Sequence, residues 1–528
     1  IKNPKPDKIC KKLEEHFTKI QTWDLTLCSP QDVVREINLL KNSRSAGPDG
    51  IPNTLIKFLK FELATPLSII INNSISCGQF PSEWKIGKIC PVPKHGNSQS
   101  VKNFRPICLT SNIGKVVEAV VRASIIDNIE NALPQNMYGF RKGRSTADAL
   151  TKVMDSIRSH RAKGRKVAVL ALDATAAFDT LNHQIIIESL KRMGAGPRML
   201  AWTTSFLEDC EYFVQIGSTR SSSWVCKKAG VGQGKKFSPD LYNVGTASQS
   251  FWCDLIESAY FADDGSDVVF GDTEDECQLQ LQDAANKKAE WFESVGLTLN
   301  VSKSEILGFG FSPNPISIKN QIISPSTSIK LLGLIIQADL KWDQYVSLLC
   351  NKIRWAAGRI RSEGRLLCTK DRKTLFDGWI MGALHANATV FLPSISECQL
   401  SQIQTAVNSG VRAVMNLPRR SNISMTTIRG NLGIQSVEDV RDKCLMLAAH
   451  KNRELFNSYS QNLQGPTTRA KSQGDIPHPD QRGHLGKMTS TAMAIIWNKI
   501  PKEIREEEDH SKASRMIKKL FKKGSVFP

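Results

Sequence analysis

The chain has no paired cysteine motif and no apolar run long enough to cross a bilayer. Its 13 cysteines are scattered singly from Cys10 to Cys444, without a C-x-x-C motif and without a histidine at ligand spacing from a cysteine. This distribution argues against a zinc site and against a disulfide framework. We therefore expect a reducing compartment, cytoplasmic and nuclear, and no membrane partner.

Other familiar sequence signals are also missing. There is no internal repeat and no long low-complexity tract. The opening stretch "IKNPKPDKIC" lacks the apolar core of a signal peptide, and it does not begin with methionine. We expect the sequence to be a piece of a longer product.

What the chain does contain is an ordinary globular composition with an excess of positive charge. Of its 528 residues, 41% are hydrophobic and 23% charged, so most of the chain should fold, in about two to four domains. The formal net charge is +19, which makes a polyanion the leading partner because Lys and Arg release counterions from phosphates. An anionic membrane surface is the weaker alternative for this charge, and it is not the partner we expect.

The pattern of apolar residues changes twice along the chain. The stretch to about residue 80 is mainly helical, as in "SPQDVVREINLLKN" with its Ser29–Pro30 cap signal. From Trp84 onward short strands alternate with helices, which predicts a mixed α/β or α+β fold. After residue 342 helical spacing returns, with arginines on the other face that fit a solvated surface as well as a nucleic-acid contact.

Two adjacent aspartates, Asp263 and Asp264, lie in "AYFADDGSDVVFG" between two apolar runs. The bland interpretation is a hairpin turn, in which Asp and Gly are common. The alternative is a site for a hard divalent cation such as Mg²⁺, which takes carboxylate ligands and offsets their repulsion. That site needs a third carboxylate, and Asp173 at the end of the buried strand "KVAVLAL" is the candidate, since a charge there is costly to bury alone.

A series of motifs places these aspartates in a family. In chain order the motifs are "SAGPDGIP", "WKIGKICPVPK", "NFRPICLTS", "YGFRKGRST", "LDATAAFDTLNH", "GVGQGKKFSPDLYN", "YFADDG", "LTLNVSKSEILGF" and "KLLGL". Over about residues 40 to 345 this series resembles the reverse transcriptase domain of non-LTR (LINE-type) retrotransposons. The tail stretches "QIQTAVNSGVRAVMNL" and "TAMAIIWNKIPKEIREEE" are similar to those of jockey-like elements.

The resemblance implies a fold and a domain division. The fold is α+β, a right-hand polymerase with fingers, a palm made of an antiparallel sheet with packed helices, a helical thumb and a mainly helical C-terminal extension. The expected parts are an N-terminal helical extension with the start of the fingers (1–83), fingers and palm (84–345), thumb and post-polymerase region (346–461), a Gly- and Pro-rich linker (462–488) and a basic helical tail (489–528).

The resemblance also implies roles in catalysis. Asp173 and Asp263 would hold two Mg²⁺ ions, with Mn²⁺ as the alternative metal, and Asp264 would be a supporting carboxylate beside them. Lys303 in "NVSKSE" matches a lysine that would donate a proton to pyrophosphate, although an ordinary solvated lysine fits the sequence nearly as well.

Further residues would bind the nucleotide. Lys94 and Arg105 would place cations on the triphosphate. Phe178 would lie beneath the incoming sugar and exclude a 2′-hydroxyl, unless it is simply a core aromatic. Gln233 and Gly234 would let a backbone turn approach the nucleotide and template base closely.

Three basic residues, Arg141, Lys142 and Arg144, would line the template path.

The chain departs from the family pattern at Gly232, where the family commonly has proline. The flexibility of glycine would loosen this turn. The continuation "LYNVGTASQSFW" is also more polar than the apolar helix we expect there.

The implied function is an RNA-directed DNA polymerase acting by target-primed reverse transcription. Its partners would be an RNA template, a DNA primer or nicked target DNA, and deoxynucleoside triphosphates, with the endonuclease supplied by a missing domain or a separate protein. The alternative is a decayed or domesticated RNA-binding protein, against which the intact set of aspartates argues. A group-II-intron maturase or telomerase-like polymerase is disfavoured by the tail ending "WNKIPKEIR".

Overall fold

The computed structural model describes residues 6–17, 21–94, 100–226, 228–253, 256–418, 422–454, 475–476 and 482–521. None of the helices within these ranges is both long enough and apolar enough to cross a membrane.

Fifteen strands are described. In chain order they are β1 Gly87–Pro93, β2 Phe104–Leu109, β3 Lys166–Leu172, β4 Ala174–Thr175, β5 Cys210–Ile216, β6 Thr219–Arg220, β7 Trp224–Cys226, β8 Glu257–Phe261, β9 Asp264–Gly271, β10 Thr298–Leu299, β11 Glu305–Phe309, β12 Ile316–Ile318, β13 Gln321–Ile323, β14 Ser328–Leu331 and β15 Leu334–Gln337.

The α-helices in the described part of the chain are numbered here in chain order. They are α1 Pro6–His16, α2 Pro30–Leu39, α3 Asn53–Phe58, α4 Lys60–Cys77, α5 Asn112–Ala132, α6 Thr146–Ala162, α7 Ala177–Thr180, α8 His183–Arg192, α9 Pro197–Leu207, α10 Ser238–Thr246, α11 Glu274–Ser294, α12 Asp343–Glu363, α13 Thr369–Phe376, α14 Gly382–His385, α15 Ala388–Phe391, α16 Glu397–Val414, α17 Met425–Leu432, α18 Val437–Lys451, α19 Gly483–Gly486, α20 Thr489–Trp497, α21 Lys502–Arg505 and α22 His510–Leu520. Short 3-10 segments span Ser82–Trp84, Val101–Asn103, Ala247–Phe251, Val301–Lys303, Gly364–Leu366 and Leu392–Ser394, and a π-helical turn spans Asp377–Met381.

An antiparallel sheet of four strands lies at the centre, in the order β11-β3-β9-β8. Alternate residues of β3 enter two different cores: Ala168 and Leu170 pack on the side of α11, and Val167 and Val169 on the side of α6. Because side chains alternate between the faces of a strand, burial on both faces requires a continuous apolar run. This sheet with its packed helices confirms the predicted palm.

A second sheet, in the order β2-β1-β5-β6 with β7 also paired to β5, forms the fingers. Strands β1 and β2 make an antiparallel hairpin, and β1 pairs with β5 in parallel. The N-terminal helices pack into the same core as the α11 face of the palm. Among them α2 begins where the sequence predicts, with a Ser29–Asp32 capping box and Pro30 at its start.

Helices α12 and α16 pack against each other beyond the palm, as expected for a helical thumb, and α12 begins at Asp343, close to the predicted boundary at residue 345. The predicted linker lies outside the described residues except for 475–476 and 482–488. The domain bounds themselves stay predictions.

The C-terminal helices dock on α6, the helix that backs the palm sheet. Asp155 of α6 accepts hydrogen bonds from the backbone N–H groups of Thr489 (2.8 Å) and Ser490 (2.9 Å), at the start of α20. The buried Arg158, one turn along α6, donates to the carbonyl of Lys487 and to Ser394 Oγ (3.0 Å). One helix therefore joins palm, thumb region and C-terminal extension.

Removal of the Asp155 carboxylate should loosen this extension. Asp155→Ala leaves two N–H groups of the first turn of α20 without their acceptor, at a cost of about 1 kcal/mol. We expect faster amide hydrogen exchange in residues 489–497, measured by mass spectrometry. Asp127→Ala, which removes an exposed aspartate from α5, serves as the control. Equal exchange in both variants would contradict the capping role.

Candidate active site

The two adjacent aspartates lie at the tip of the β8–β9 hairpin, as the hairpin interpretation predicts. Phe261 pairs with Asp264, so Ala262 and Asp263 form a two-residue loop. Ala262 has a φ of +57°, a conformation that costs about 1 kcal/mol for a residue other than glycine. Strained backbone of this kind clusters at functional sites, and the tip is one candidate for such a site.

Strand pairing brings Asp173 to the same place. In the β3–β9 ladder Leu172 lies opposite Gly265, so Asp173 follows one residue beyond, next to Asp264. The charge of Asp173 contributes to raising the pKa values of both Asp263 and Asp264. The structure thus brings the three predicted aspartates together, although their catalytic roles stay predictions.

The pKa values of the two carboxyl groups at the hairpin tip are raised. Partial burial raises the pKa of Asp264 to about 6, and the charges of Asp263 and Asp173 add to this effect, although the side chain still reaches solvent. The pKa of Asp263 is also raised, mainly by partial burial, with a further contribution from Asp173. A cation placed between these groups would relieve the repulsion.

The donor set suits a hard divalent cation that also binds the substrate. Among the described residues no three His, Cys, Asp or Glu side chains converge into a ready-made metal cage. Mg²⁺ is commonly held by one or two carboxylates together with substrate phosphates. Asp173 and Asp263, with Asp264 beside them, supply carboxylate oxygens of the type that such an ion takes.

Asp173 is held by the turn that follows β10. The backbone N–H of Asn300 donates to the Asp173 carbonyl (2.8 Å), and Asn300 Nδ2 donates to Asp173 Oδ2 (3.1 Å). The exposed Lys303 places its Nζ 3.9 Å from the same Oδ2. The predicted Lys303 is therefore beside Asp173. Asn300 was missed by the sequence reasoning, although it lies three residues before Lys303 in the same motif.

Two basic residues predicted to bind the triphosphate, Lys94 and Arg105, lie on the fingers side of the site. Arg105 lies on β2 opposite Val92, and Lys94 follows the end of β1, where its N–H donates to the Asn103 carbonyl (2.8 Å). The positive charges of Arg105 and Lys94 both lower the pKa of Asp263 against the larger effect of burial. Both are thus positioned near the hairpin tip, as a triphosphate-binding role requires.

Phe178 belongs to an aromatic stack next to the aspartates. Its half-buried ring stacks on Tyr242 (centroids 4.3 Å apart, planes 4° apart) and meets Phe140 edge-on at 5.6 Å. Burial raises the pKa of the Tyr242 phenol, and the charges of Asp263 and Asp264 add to the shift. Tyr242 is a second residue that the sequence reasoning missed.

The unexpected polarity of α10 has a structural reason. Asp240 forms a two-pronged ion pair with Arg122 (2.6 and 2.9 Å), and the buried Asn243 donates to the Gly139 carbonyl (2.9 Å). Gly139 in turn approaches the hairpin tip so closely that a Cβ would lie 2.3 Å from the Ala262 nitrogen. Asp240 therefore ties α10 to α5, and Asn243 holds the basic loop against the aspartate hairpin.

The Gln233–Gly234 turn meets the fingers strand β2. The Gln233 carbonyl accepts from the N–H of Cys108 (2.6 Å), and Gly234 has a φ of +120°. A Cβ on Gly234 would lie 2.4 Å from the Cys108 carbonyl oxygen. Glycine is therefore required here by the β2 backbone, which the prediction of close approach to a nucleotide did not foresee.

The three basic residues of the loop differ in placement. Arg141 is buried and donates to Glu130 (2.7 Å) and to the carbonyls of Pro134 (2.6 Å) and Glu130 (3.0 Å). Arg144 is half-buried and bonds to Gln135, whereas Lys142 is exposed. Arg141 thus holds the loop together, and of the three Lys142 is the best placed for the predicted contact with nucleic acid.

Comparisons with known proteins agree with these features. Residues 92–336 match the family described as reverse transcriptase (RNA-dependent DNA polymerase). The chain is similar to three Drosophila melanogaster proteins: the RNA-directed DNA polymerase from mobile element jockey (24% identity over 375 residues, 68% of this chain and 40% of the relative), the probable polymerase from transposon BS (24% over 437 residues, 78% and 47%) and that from transposon X-element (26% over 341 residues, 62% and 37%).

The chain spans less than half the length of these relatives. A solved apo telomerase from Candida tropicalis aligns with a TM-score of 0.35 and 13% identity, covering 53% of this chain and 59% of the other, a likeness too weak to support the fold assignment. The family match over residues 92–336 and the named relatives confirm the predicted resemblance to reverse transcriptases of non-LTR retrotransposons.

Partial burial of Asp264, together with charge repulsion at the tip, predicts a pH-dependent gain in stability from Asp264→Asn. Because the pKa of Asp264 is about 6 in the fold and near 3.8 otherwise, its ionised form opposes folding above about pH 6, and the penalty fades as the pH falls towards 4. We expect the variant to be more stable than wild type by about 1 kcal/mol at about pH 7.5, after allowance for solvent screening, and equal near pH 4. Urea unfolding in EDTA measures both values. A gain that is the same at both pH values would exclude this cause.

Gly234→Ala should disturb the contact between the turn and β2. The added Cβ clashes with a backbone carbonyl and is strained at positive φ, so we expect a loss of about 1–3 kcal/mol in unfolding free energy. Gly50→Ala is the matched control, since Gly50 also has positive φ (+73°) but has open space around its Cβ position. If Gly234→Ala loses no more unfolding free energy than Gly50→Ala, the β2 backbone can move aside and the proposed clash is wrong.

Proposed function

We propose that the chain is the RNA-directed DNA polymerase of a non-LTR retrotransposon, which extends a DNA 3′ end on an RNA template. The observation that carries this proposal is the meeting of Asp173, Asp263 and Asp264 at one end of the palm sheet, inside the reverse transcriptase domain. The match to named RNA-directed DNA polymerases supports the same activity.

In this proposal one group of residues binds the metal and another binds the triphosphate. Asp173 and Asp263 would hold Mg²⁺, which when bound activates the primer 3′-hydroxyl and offsets charge on the leaving pyrophosphate. Arg105 and Lys94 approach from the fingers, where cations can pair with triphosphate oxygens. Lys303, on the turn beside Asp173, can donate a proton to the departing pyrophosphate.

Selection of deoxynucleotides would rest on Phe178. Its ring cannot move freely, because it is stacked on the buried Tyr242 and bordered by Phe140. A fixed aromatic ring at the sugar position would clash with a 2′-hydroxyl. Tyr242 would therefore act as the support that keeps Phe178 in place.

The wider cellular reaction is proposed by analogy with the relatives. An RNA template and a nicked target DNA would be the partners, in target-primed reverse transcription. The endonuclease would come from a further domain or a separate protein. All 13 cysteines are free, in keeping with a reducing compartment, cytoplasmic and nuclear.

Primer extension on poly(rA)/oligo(dT) with Mg²⁺ tests the proposal. We expect wild type to incorporate dTTP and Asp263→Asn to lose at least about 100-fold in rate, because removal of one preorganised charge at a reacting centre has effects of this size. Asp275→Asn, an exposed aspartate at the start of α11, is the control and should retain activity.

Two outcomes would contradict the proposal. Incorporation that survives Asp263→Asn would remove the assigned role of the hairpin tip. Wild-type protein that binds RNA in a filter assay but does not extend the primer would favour a decayed RNA-binding derivative.

A further inference from the structure

In the described part of the chain, the side-chain hydrogen bond and the ion pair of Asp173 are both made at Oδ2. Asn300 Nδ2 donates to Oδ2 at 3.1 Å, and Lys303 Nζ lies 3.9 Å from the same atom. Within the described ranges Oδ1 accepts no hydrogen bond. The turn therefore leaves Oδ1 as the oxygen that can face an incoming cation.

Asn300 is itself held in one orientation. Ser302 Oγ donates to Asn300 Oδ1 (2.9 Å), so the amide group must turn its Nδ2 towards Asp173. The backbone is fixed as well, since the Asn300 carbonyl accepts from the N–H of Lys303 (3.2 Å) and from Ser304 Oγ (2.9 Å). Because the Asn300 amide is fixed by these contacts, its hydrogen bond can set the orientation of the Asp173 carboxylate.

The two chain segments are also joined by backbone pairing. Strand β4, which begins directly after Asp173, pairs with β10, which ends directly before Asn300. The N–H of Asn300 continues this pairing to the Asp173 carbonyl at 2.8 Å. Substitution of the Asn300 side chain therefore leaves the main-chain link intact.

A positioning contact is needed because the three aspartates repel one another. Strand pairing places Asp173 beside the hairpin tip that carries Asp263 and Asp264, so like charge favours rotation of an unanchored Asp173 side chain away from them. Lys303 is a weak anchor, since its side chain is 68% exposed and the separation is long. The Asn300 amide is the closer contact.

We propose that Asn300 is a positioning residue for Asp173, which fixes Oδ2 and thereby presents Oδ1 to the divalent cation. This inference rests on the proposed polymerase function of the same site. Partners of metal ligands that lie one contact behind them typically change metal affinity or activity by about 10- to 100-fold when removed. Asn300 has the contacts of such a partner.

The test compares Asn300→Ala, Asn300→Asp and Ser302→Ala with wild type. Mn²⁺ binding is measured by electron paramagnetic resonance in the absence of nucleotide, and primer extension is measured over a range of Mg²⁺ concentrations. We expect Asn300→Ala to weaken Mn²⁺ binding and lower kcat by about 10-fold or more, with the KM for dTTP changed less than about threefold. Ser302→Ala should cause a smaller loss of the same kind.

Asn300→Asp separates positioning from simple loss of a side chain. It keeps the size of the side chain but replaces the donor with a carboxylate next to Oδ2, so we expect a larger fall in kcat than for Asn300→Ala. Asn286→Ala, which removes an exposed asparagine of α11, is the control. Thermal unfolding verifies that each variant is folded.

The experiment distinguishes failure of the positioning role of Asn300 from failure of the proposed polymerase function. If wild type does not extend a primer, the polymerase proposal fails, whereas Mn²⁺ binding still compares the variants. Folded Asn300→Ala with Mn²⁺ affinity and kcat within twofold of wild type would overturn the positioning role. A fall in kcat with unchanged Mn²⁺ affinity and unchanged Mg²⁺ dependence would also overturn it, because the carboxylate would then not be the affected group.

Discussion

The pairing of β3 with β9 is the constraint on which the candidate site depends. The ladder runs from Lys166 opposite Gly271 to Leu172 opposite Gly265, and its end sets Asp173 beside the hairpin tip. A slip of one residue would exchange the two faces of β3 and send its side chains into the wrong cores. Because both faces of β3 are apolar, the fit of its side chains into the two cores fixes the register, and the register brings the mutually repelling aspartates together.

The surroundings of the aspartates offset this repulsion without cancelling it. Asn300 holds Asp173 by hydrogen bonds, and the fingers bring Arg105 within electrostatic reach of Asp263. Asn243 of α10 holds the neighbouring loop against the hairpin by its bond to Gly139. The pKa of Asp264 nevertheless stays raised, so the site retains an affinity for positive charge that a bound cation would satisfy.

The positive charge of the chain is used in more than one way. A net charge of +19 indicates a polyanionic partner, yet several cations serve the fold itself. Arg141 and Arg158 are buried and bonded to carbonyl or hydroxyl groups, and Lys235 is buried with its Nζ 3.0 Å from Cys210 Sγ. The position of Arg141 in its motif did not reveal that its side chain faces inward. The buried guanidinium is bound by the Glu130 carboxylate and by a carbonyl of the preceding turn, and these partners are known only from the structure.

The sequence by itself was sufficient to predict the palm strand, the hairpin and the choice of three aspartates as candidate site residues. Strand periodicity, turn residues and motif order are local properties of the chain. The sequence also indicated the resemblance to reverse transcriptases, since an ordered series of motifs can be recognised without coordinates. Only the tertiary structure decided that Asn300 faces Asp173, that Tyr242 supports Phe178 and that Gly234 meets the carbonyl of β2. These contacts join segments from different parts of the chain, and each depends on how sheets and helices pack, which no local pattern encodes.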